Sequence, residues 1–588
     1  MKLEGLVASP GIATGKAVLF HSSVMTEILE STQDTEWEKT RLHEAARTAT
    51  EELVRLQDKV RHTMGVDYAG IFRSQQTIAE DASIIGEVEA LIDSARFSAE
   101  TALQRVFQKY AALFEDLPDG DYNKTRATDV DDVAKRILRV LLGIPGVDLS
   151  DLPRSTILVA HDLFPSDTIT LDARRVNGII TERGGPSSHV AILAKNLGIP
   201  AAVGVSAALQ RIKNRDVVVV DSAHAVRARV LVNPGKASMQ KVEVQQSRLR
   251  DRAEHMRTFR GLPSVTPDGV EHILSVNVGS TADLAKARES GVRSIGLYRT
   301  EFLFLGVPRL PDEETQLTAY RAAAETFPDG FVVIRTLDVG GDKTIPTVSS
   351  PPEENPFLGS RGLRFTLNRP DLFRTQLRAI LRAGAWGPVK MMFPMVGGVP
   401  ELEDALALLS SVKDDLAREE LPHDPTMEVG IMMEVPSAIW VADALARRVD
   451  FFSIGTNDLT QYLLAADRMN SDVSSYYRVY DPAVFTAVHQ AAEAARRHGR
   501  WIGVCGELGG DPRAIPALIG LGVRELSMSA GLVAEANWII RDTRISEARK
   551  LAREILTAET HREVADMLDQ IYRRRVEDLD RQHEESHL

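Results

Sequence analysis

Eight short apolar runs, regularly spaced between Pro263 and the charged C-terminus, constrain this chain more than any other feature. They are Ser275–Val278, Ser294–Leu297, Phe331–Ile334, Val389–Phe393, Val429–Met433, Phe451–Ile454, Trp501–Val504 and Glu525–Met528. Helix-patterned stretches separate them, among them Glu313–Phe327, Leu372–Ala383, Glu401–Glu419 and Pro482–His498. Runs this short have the length of buried strands, and strands alternating with helices build parallel sheets. Eight such units over about 300 residues predict a (β/α)8 barrel. An open doubly wound sheet is the competing solution to the same pattern.

A barrel of this kind carries its chemistry where strands end and loops begin. The second run ends in Arg299-Thr300-Glu301, and the third in Arg335-Thr336-Leu337-Asp338, with Gly340-Gly341-Asp342-Lys343 behind it. The fifth ends in Glu434, the sixth in Asn457-Asp458 and the seventh in Cys505-Gly506-Glu507, while Arg361 and Arg468 lie in nearby loops. One charge at a strand end is ordinarily a solvated surface residue. Charges at five strand ends on one face require another explanation. Converging Arg and Lys suit a multiply charged anion, because Arg offers a bidentate fork to phosphate or carboxylate. Phosphoryl transfer, with charge spread over three oxygens in a loose transition state, needs little beyond such positioning and neutralisation. Glu434 and Asp458 add two hard carboxylate oxygens, which suit Mg2+ completed by substrate oxygens and water. No His-rich cluster points to zinc. Cys505 has two readings. A lone Cys in an apolar strand is usually a small hydrophobe; at the end of a barrel strand it faces substrate, and its thiol can protonate an enolate carbon.

Upstream, residues from about Thr35 to Gly143 are patterned as helices alone. Leu53, Leu56, Val60 and Met64 recur at steps of three and four, and the segments Ile71–Ile92, Glu100–Phe114 and Asp129–Leu142 continue the pattern, predicting four antiparallel helices. No convergent polar chemistry marks this block, which reads as a scaffold or docking module. On either side of it lie short β-branched runs: Gly5–Val7 and Lys16–Val18 before, Ser155–Ala160, Asn177–Ile180 and Asp216–Asp221 after. They predict one α/β unit with the helical block inserted into it. Within that unit Gly184-Gly185-Pro186-Ser187-Ser188-His189 follows a strand and opens a helix. Two glycines let the backbone approach a ligand, and a helix N-terminus favours an anion, so His189 can act as a nucleophile towards phosphorus with Ser188 beside it. The competing reading is a surface or capping histidine. From Gly235 to about Arg260 the chain is polar and helix-prone, a connecting helix.

Composition narrows the class. With 44% hydrophobic and 26% charged residues the chain is an ordinary folded protein, not a disordered one. A single cysteine excludes a disulfide framework and a four-cysteine metal site, and fits a reducing compartment. No signal-peptide core and no run of about 18 apolar residues is present, so a cytoplasmic protein without membrane insertion is expected. The net charge of -13 argues against a nucleic-acid partner. Residues 23–145 hold 23 acidic and 15 basic side chains, so the helical insert alone carries -8 of that charge.

Taken together, the motifs resemble enzyme I of the phosphoenolpyruvate-dependent sugar phosphotransferase system, nearly end to end. The residues that carry the resemblance are Ala8–Ala17 (ASPGIATGKA), Gly184–Ala194, Gly296–Phe304, Arg335–Lys343, Glu354–Arg364, Ile431–Ala438, Gly455–Arg468 and Cys505–Asp511 (CGELGGD). The resemblance implies a swivelling α/β phosphohistidine domain (1–22 and 146–234) and an all-α insert (23–145) that docks the phosphocarrier HPr. A linker helix (235–261), a phosphoenolpyruvate-binding and dimerising (β/α)8 barrel (262–575) and a charged, frayed tail (576–588) would follow. It implies that His189 takes the phosphoryl group, with Thr168 close enough to assist. Arg299, Arg335, Asn457, Asp458 and Arg468 would bind phosphoenolpyruvate, with Lys343 and Arg361 as supporting cations. Glu434 and Asp458 would hold Mg2+, Cys505 would protonate the enolate to pyruvate, and the chain would be a homodimer. Two departures from the family pattern are visible: Pro186 and Ser187 stand where a basic residue and Thr are common, and Ser360 where an aromatic is common. Pyruvate phosphate dikinase and phosphoenolpyruvate synthase share these features but need a nucleotide-binding domain for which the chain has no room. A docking protein that has lost catalysis and a paralogue serving nitrogen regulation are weaker readings of the same motifs.

Overall fold

The chain divides into two units, Met1–Arg250 and Asp251–Leu588. The computed structural model describes all of it except residues 21–33, 64–74, 116–119, 144–148, 150–151, 164–170, 173, 186–187, 224–226, 305–308, 341–352, 469, 471–472, 474 and 587–588.

In the first unit seven strands close on themselves: β1 (Lys2–Ser9), β2 (Ile12–Phe20), β3 (Thr156–Ala160), β4 (Val176–Thr181), β5 (Ala201–Val203), β6 (Val217–Asp221) and β7 (Arg227–Val232), in the order β1-β5-β4-β3-β2-β6-β7. β2 and β3 are parallel neighbours in register from Lys16↔Thr156 to Phe20↔Ala160, although more than a hundred positions separate them. The helical segment is therefore a true insertion between paired strands. It contains α1 (Thr35–Thr63), α2 (Ala82–Ala95), α3 (Ala99–Glu115) and α4 (Gly120–Leu141). Their apolar stripes meet in a core that includes Leu42, Leu53, Val88, Ile92, Leu103, Val106, Val133 and Ile137. The Asp81 side chain caps α2 by accepting from the N–H groups of Ser83 and Ile84. Helix α5 (His189–Leu197) follows β4, and α6 (Lys236–Arg257) is the polar connecting helix.

The second unit is the predicted (β/α)8 barrel. Its strands are β8 (Ile273–Val278), β9 (Ile295–Arg299), β10 (Val332–Arg335), β11 (Val389–Phe393), β12 (Val429–Met433), β13 (Phe451–Ile454), β14 (Trp501–Val504) and β15 (Glu525–Met528). All neighbours are parallel, and β15 pairs with β8 from Glu525↔Ile273 to Met528↔Val276. That closing pair excludes the open sheet. β9 has an irregular register against β10, and beyond it Arg299 stands opposite Arg335. Two kinds of interior result. Leu297, Val333, Met392, Met432 and Phe451, from β9 to β13, form an apolar cluster that also includes Cys505. Ser275, Asn277, Glu525 and Ser527, from β8 and β15, form a hydrogen-bonded polar side.

The charged C-terminal stretch, expected to fray, is instead the end of a helix running from His561 to Ser586. Leu579 is buried there, and Asp580 forms a bidentate pair with Arg252. One apolar residue and one ion pair suffice to dock a segment whose composition alone reads as solvated.

Candidate active site

The strand ends of the barrel supply a network of interleaved charges. Glu301 lies in a 3-10 turn just after β9, and its Oε1 accepts from Nη2 of Arg335 at 2.6 Å. Arg335 also pairs through Nη1 with Asp338 at 2.9 Å. Burial alone would lower the pKa of the Arg335 guanidinium, but the carboxylates of Glu301 and Asp338 more than offset it and raise it. Asp338 in turn accepts from Nε and Nη2 of Arg361 at 3.1 and 3.2 Å. The other edge of the same guanidinium meets both oxygens of Asp458 at 3.0 and 3.2 Å. Arg361 is 1% exposed, and its fork is fully engaged by two carboxylates. It holds Asp338 and Asp458 in place and presents no open cationic face. Gly340 packs against the backbone beside it: its φ of +104° and contact with the Ser360 carbonyl leave no room for a Cβ.

Glu434 follows β12 and is fully buried. Its Oε1 accepts the Met395 N–H at 2.6 Å, and Met395 adopts a left-handed φ of 55°, costly for a residue with a long side chain. Its Oε2 is buried with no hydrogen-bond partner among the described residues. Burial, then the charges of Asp458 and Asp338, push the Glu434 carboxyl up to about 8, against the pull of Arg361 and Arg335. A buried carboxylate with an unpartnered oxygen, beside two further carboxylates, fits a divalent cation. Among the described residues no group of three or more His, Cys, Asp or Glu side chains is disposed to hold a metal. The protein therefore offers an incomplete donor set, of the kind that Mg2+ completes with substrate oxygens and water.

Asn457 and Asp458 occupy the first turn of the helix Thr456–Leu464. Asn457 Oδ1 accepts the Glu507 N–H at 3.0 Å, which ties the loop after β13 to the loop after β14. Arg468 is half-buried, with Nη2 3.8 Å from Asp458. Arg299 is half-buried at the end of β9 and has no side-chain partner among the described residues. Cys505 sits one residue beyond β14 and is 2% exposed. Burial pushes its thiol up to about 12, so it keeps its proton throughout the neutral range. Gly506 is required beside it, because a Cβ there would lie 2.6 Å from the Thr456 nitrogen.

In the first unit His189 is the first residue of α5 and Ser188 its N-cap. The Ser188 side chain makes no capping bond, and its Oγ is buried with no partner among the described residues. The positive end of a helix beside a hydroxyl that is unpartnered among the described residues favours an anion. Thr168, Lys343, Pro186 and Ser187 lie outside the described residues. The barrel thus brings together Arg335, Arg361, Asp458 and Arg468 in one ion-pair network, with Glu434 in its electrostatic field and Asn457 on the same helix as Asp458, while His189 belongs to the other unit. Sequence reasoning passes over Met395, Asn277 and Tyr462. Tyr462 donates to the Phe357 carbonyl at 2.6 Å and lies 3.3 Å from Arg361 Nη1; its place one helical turn after Asp458 is the available signal.

Comparison with known proteins extends over nearly the whole chain. Residues 4–126 match the N-terminal domain of PEP-utilising enzymes, 152–225 their mobile domain and 253–545 their PEP-binding domain. The phosphoenolpyruvate-protein phosphotransferase of Staphylococcus carnosus is 39% identical over 569 residues, 97% of this chain and 99% of the relative. That of Bacillus subtilis is 39% identical over 573 residues, 97% and 100% of the two chains. The Geobacillus stearothermophilus protein of the same name is 38% identical over 570 residues, 97% and 98% of the two. No helix among the described residues is long and apolar enough to cross a membrane.

Proposed function

Because the chain belongs to the family of phosphoenolpyruvate-protein phosphotransferases, we propose that it moves the phosphoryl group of phosphoenolpyruvate first to His189 and then to a histidine of the carrier protein HPr. The observation that carries this reading is the charge network at the barrel mouth. Carboxylates of Glu301, Asp338 and Asp458 hold Arg335 and Arg361. Among the described residues Arg299 stays unpartnered, and Glu434 keeps one buried oxygen without a donor.

Phosphoenolpyruvate is a triple anion with a phosphate at one end and a carboxylate at the other. Arg299, Arg335 and Arg468 bind these groups, Asn457 adds a neutral donor, and Arg361 fixes the carboxylates behind them; Lys343 is the remaining supporting cation. Glu434 and Asp458 are the residues that would hold Mg2+, which would supply balancing positive charge when bound. The neutral His189 ring nitrogen attacks phosphorus, a P–N bond forms and the P–O bond to the enol oxygen breaks. The unused hydroxyl of Ser188 and the N–H groups opening α5 receive the phosphoryl oxygens, with Thr168 assisting. The enolate left behind takes the Cys505 proton at its methylene carbon and leaves as pyruvate. A thiol with a pKa near 12 stays loaded for that step at neutral pH.

One histidine must meet both the barrel and HPr, so residues 1–22 and 146–234 act as a swivelling carrier domain. The insert, residues 23–145, is the HPr dock, and its charge of -8 suits a basic partner face. The functional form is a cytoplasmic homodimer joined through the barrel, which sedimentation of the purified chain tests. Labelled phosphoenolpyruvate with Mg2+ should leave an acid-labile phosphate on the chain and none on His189→Ala. Equal labelling of the variant would refute the assignment.

A further inference from the structure

The loop carrying Cys505 is held from both sides. On one side the N–H groups of Cys505 and Gly506 donate to the Ile454 carbonyl of β13 at 3.1 and 3.4 Å. On the other a single side chain spans the gap. Asn277, near the end of β8, donates from Nδ2 to the Cys505 carbonyl at 3.0 Å, and its Oδ1 accepts from Ser527 Oγ of β15 at 2.7 Å. A carbonyl can only accept, so the amide nitrogen must face Cys505 and the amide oxygen must face the buried Ser527 hydroxyl. Both ends of the amide are thereby fixed. The thiol itself has a weak contact, 3.7 Å from Sγ to the Ile454 carbonyl, and the side chain of Ser453 on β13 is close enough to stabilise its charged form. Its direction depends on the peptide plane between Cys505 and Gly506, and Asn277 is the side chain bonded to the carbonyl of that plane.

We propose that Asn277 is a positioning residue that aims the Cys505 thiol at one face of the substrate carbon. The inference rests on the function proposed for this site, in which Cys505 protonates the enolate. In that step the S–H bond breaks, the enolate electron pair forms the new C–H bond, and the thiolate later recovers a proton from water. The methylene carbon is planar and open to protonation from two faces. A fixed donor reaches one of them; a loosened donor, or water, reaches both. Handedness of the product methyl group therefore reports the aim of the thiol, which overall stability does not.

The test uses the full chain, Mg2+ and phosphoenolpyruvate carrying deuterium at one stereospecific C3 position, in tritiated water, with analysis of methyl chirality in the pyruvate formed. The wild-type chain should give one hand, and Cys505→Ala a racemic methyl. In Asn277→Ala the stereochemical excess should fall at least about fivefold, and by more than any fall in the rate of phosphoryl labelling, as expected when a reacting group is misaimed and not lost. Asn277→Asp keeps the acceptor for Ser527 but donates to the Cys505 carbonyl only when protonated. Its excess should recover as pH falls towards the carboxyl range and vanish as pH rises, while that of the wild type stays constant. Wild-type handedness in Asn277→Ala, or a pH-independent Asn277→Asp, would overturn the inference, as would parallel loss of labelling and handedness. One-handed pyruvate from Cys505→Ala, or no labelling of the wild-type chain, would instead bring down the proposed function on which the inference rests.

Discussion

Glu525→Gln should stabilise the barrel increasingly as pH rises. Glu525 opens β15 and is 1% exposed; its side chain lies where Gly296 and Gly503 leave space, and Ser275 Oγ donates to it. Burial dominates its titration and pushes the carboxyl from 4.5 up to about 8, with the Ser275 bond pulling weakly the other way. Between those two values the folded chain holds a proton that the unfolded chain has released. Stability therefore falls with rising pH across that window, by about 1.4 kcal/mol per unit. Between pH 5.5 and 7.5 the loss amounts to about 3 kcal/mol, and it levels off above pH 8. Glutamine has the same shape, retains a partner for Ser275 and does not titrate, so the variant escapes the loss. Urea unfolding at a series of pH values, followed by tryptophan fluorescence, measures the difference, because four of the five tryptophans (Trp386, Trp440, Trp501 and Trp538) belong to the barrel unit. A gap between variant and wild type that does not change with pH would refute the reasoning. A gap that shrinks as pH rises would mean that Glu525 is ionised and favourably paired.

Cys505→Ala should form pyruvate slowly with its fold intact; unchanged turnover would return Cys505 to the role of a small hydrophobe in the barrel lining. Arg361→Lys replaces a fork engaged with Asp338 and Asp458 by a single ammonium, leaving buried carboxylate oxygens without donors. It should destabilise the barrel by about 2–4 kcal/mol and slow labelling from phosphoenolpyruvate; wild-type behaviour in both assays would show that Arg361 is not the strut inferred. Raising ionic strength should lower the association rate of the chain with HPr, since the insert carries -8, and a salt-independent rate measured by stopped flow would exclude electrostatic steering by that face.

How far the fold is legible in the sequence depends on which forces act locally. Five of the eight apolar runs coincide with strands to the residue, from Val389–Phe393 to Glu525–Met528, because buried strands of this length are bounded by turns the sequence displays. β9 and β10 each extend one polar residue or more past their apolar runs, to Arg299 and Arg335, since backbone pairing continues after the apolar side chains end. β5, three residues long, and β7, with two outward arginines, escape the sequence pattern; closure of the first barrel, not local composition, makes them strands.

The cations show the limit most clearly. As residue types at strand ends, Arg299, Arg335 and Arg361 are equivalent anion ligands. In the fold they separate into one without a side-chain partner among the described residues and two engaged by carboxylates that lie 34, 23 and 97 positions away in the chain. No periodicity encodes such pairings, which depend on the order of strands around the barrel. The motifs therefore reveal which chemistry is present, and the topology decides which groups remain for the ligand. Arg361 holds Asp338 and Asp458 together, and that arrangement fixes the orientation of Asp458, whose charge acts on Glu434. A binding site of this kind is specified as much by the charges it satisfies internally as by those it leaves open, and that division lies outside the reach of any linear motif.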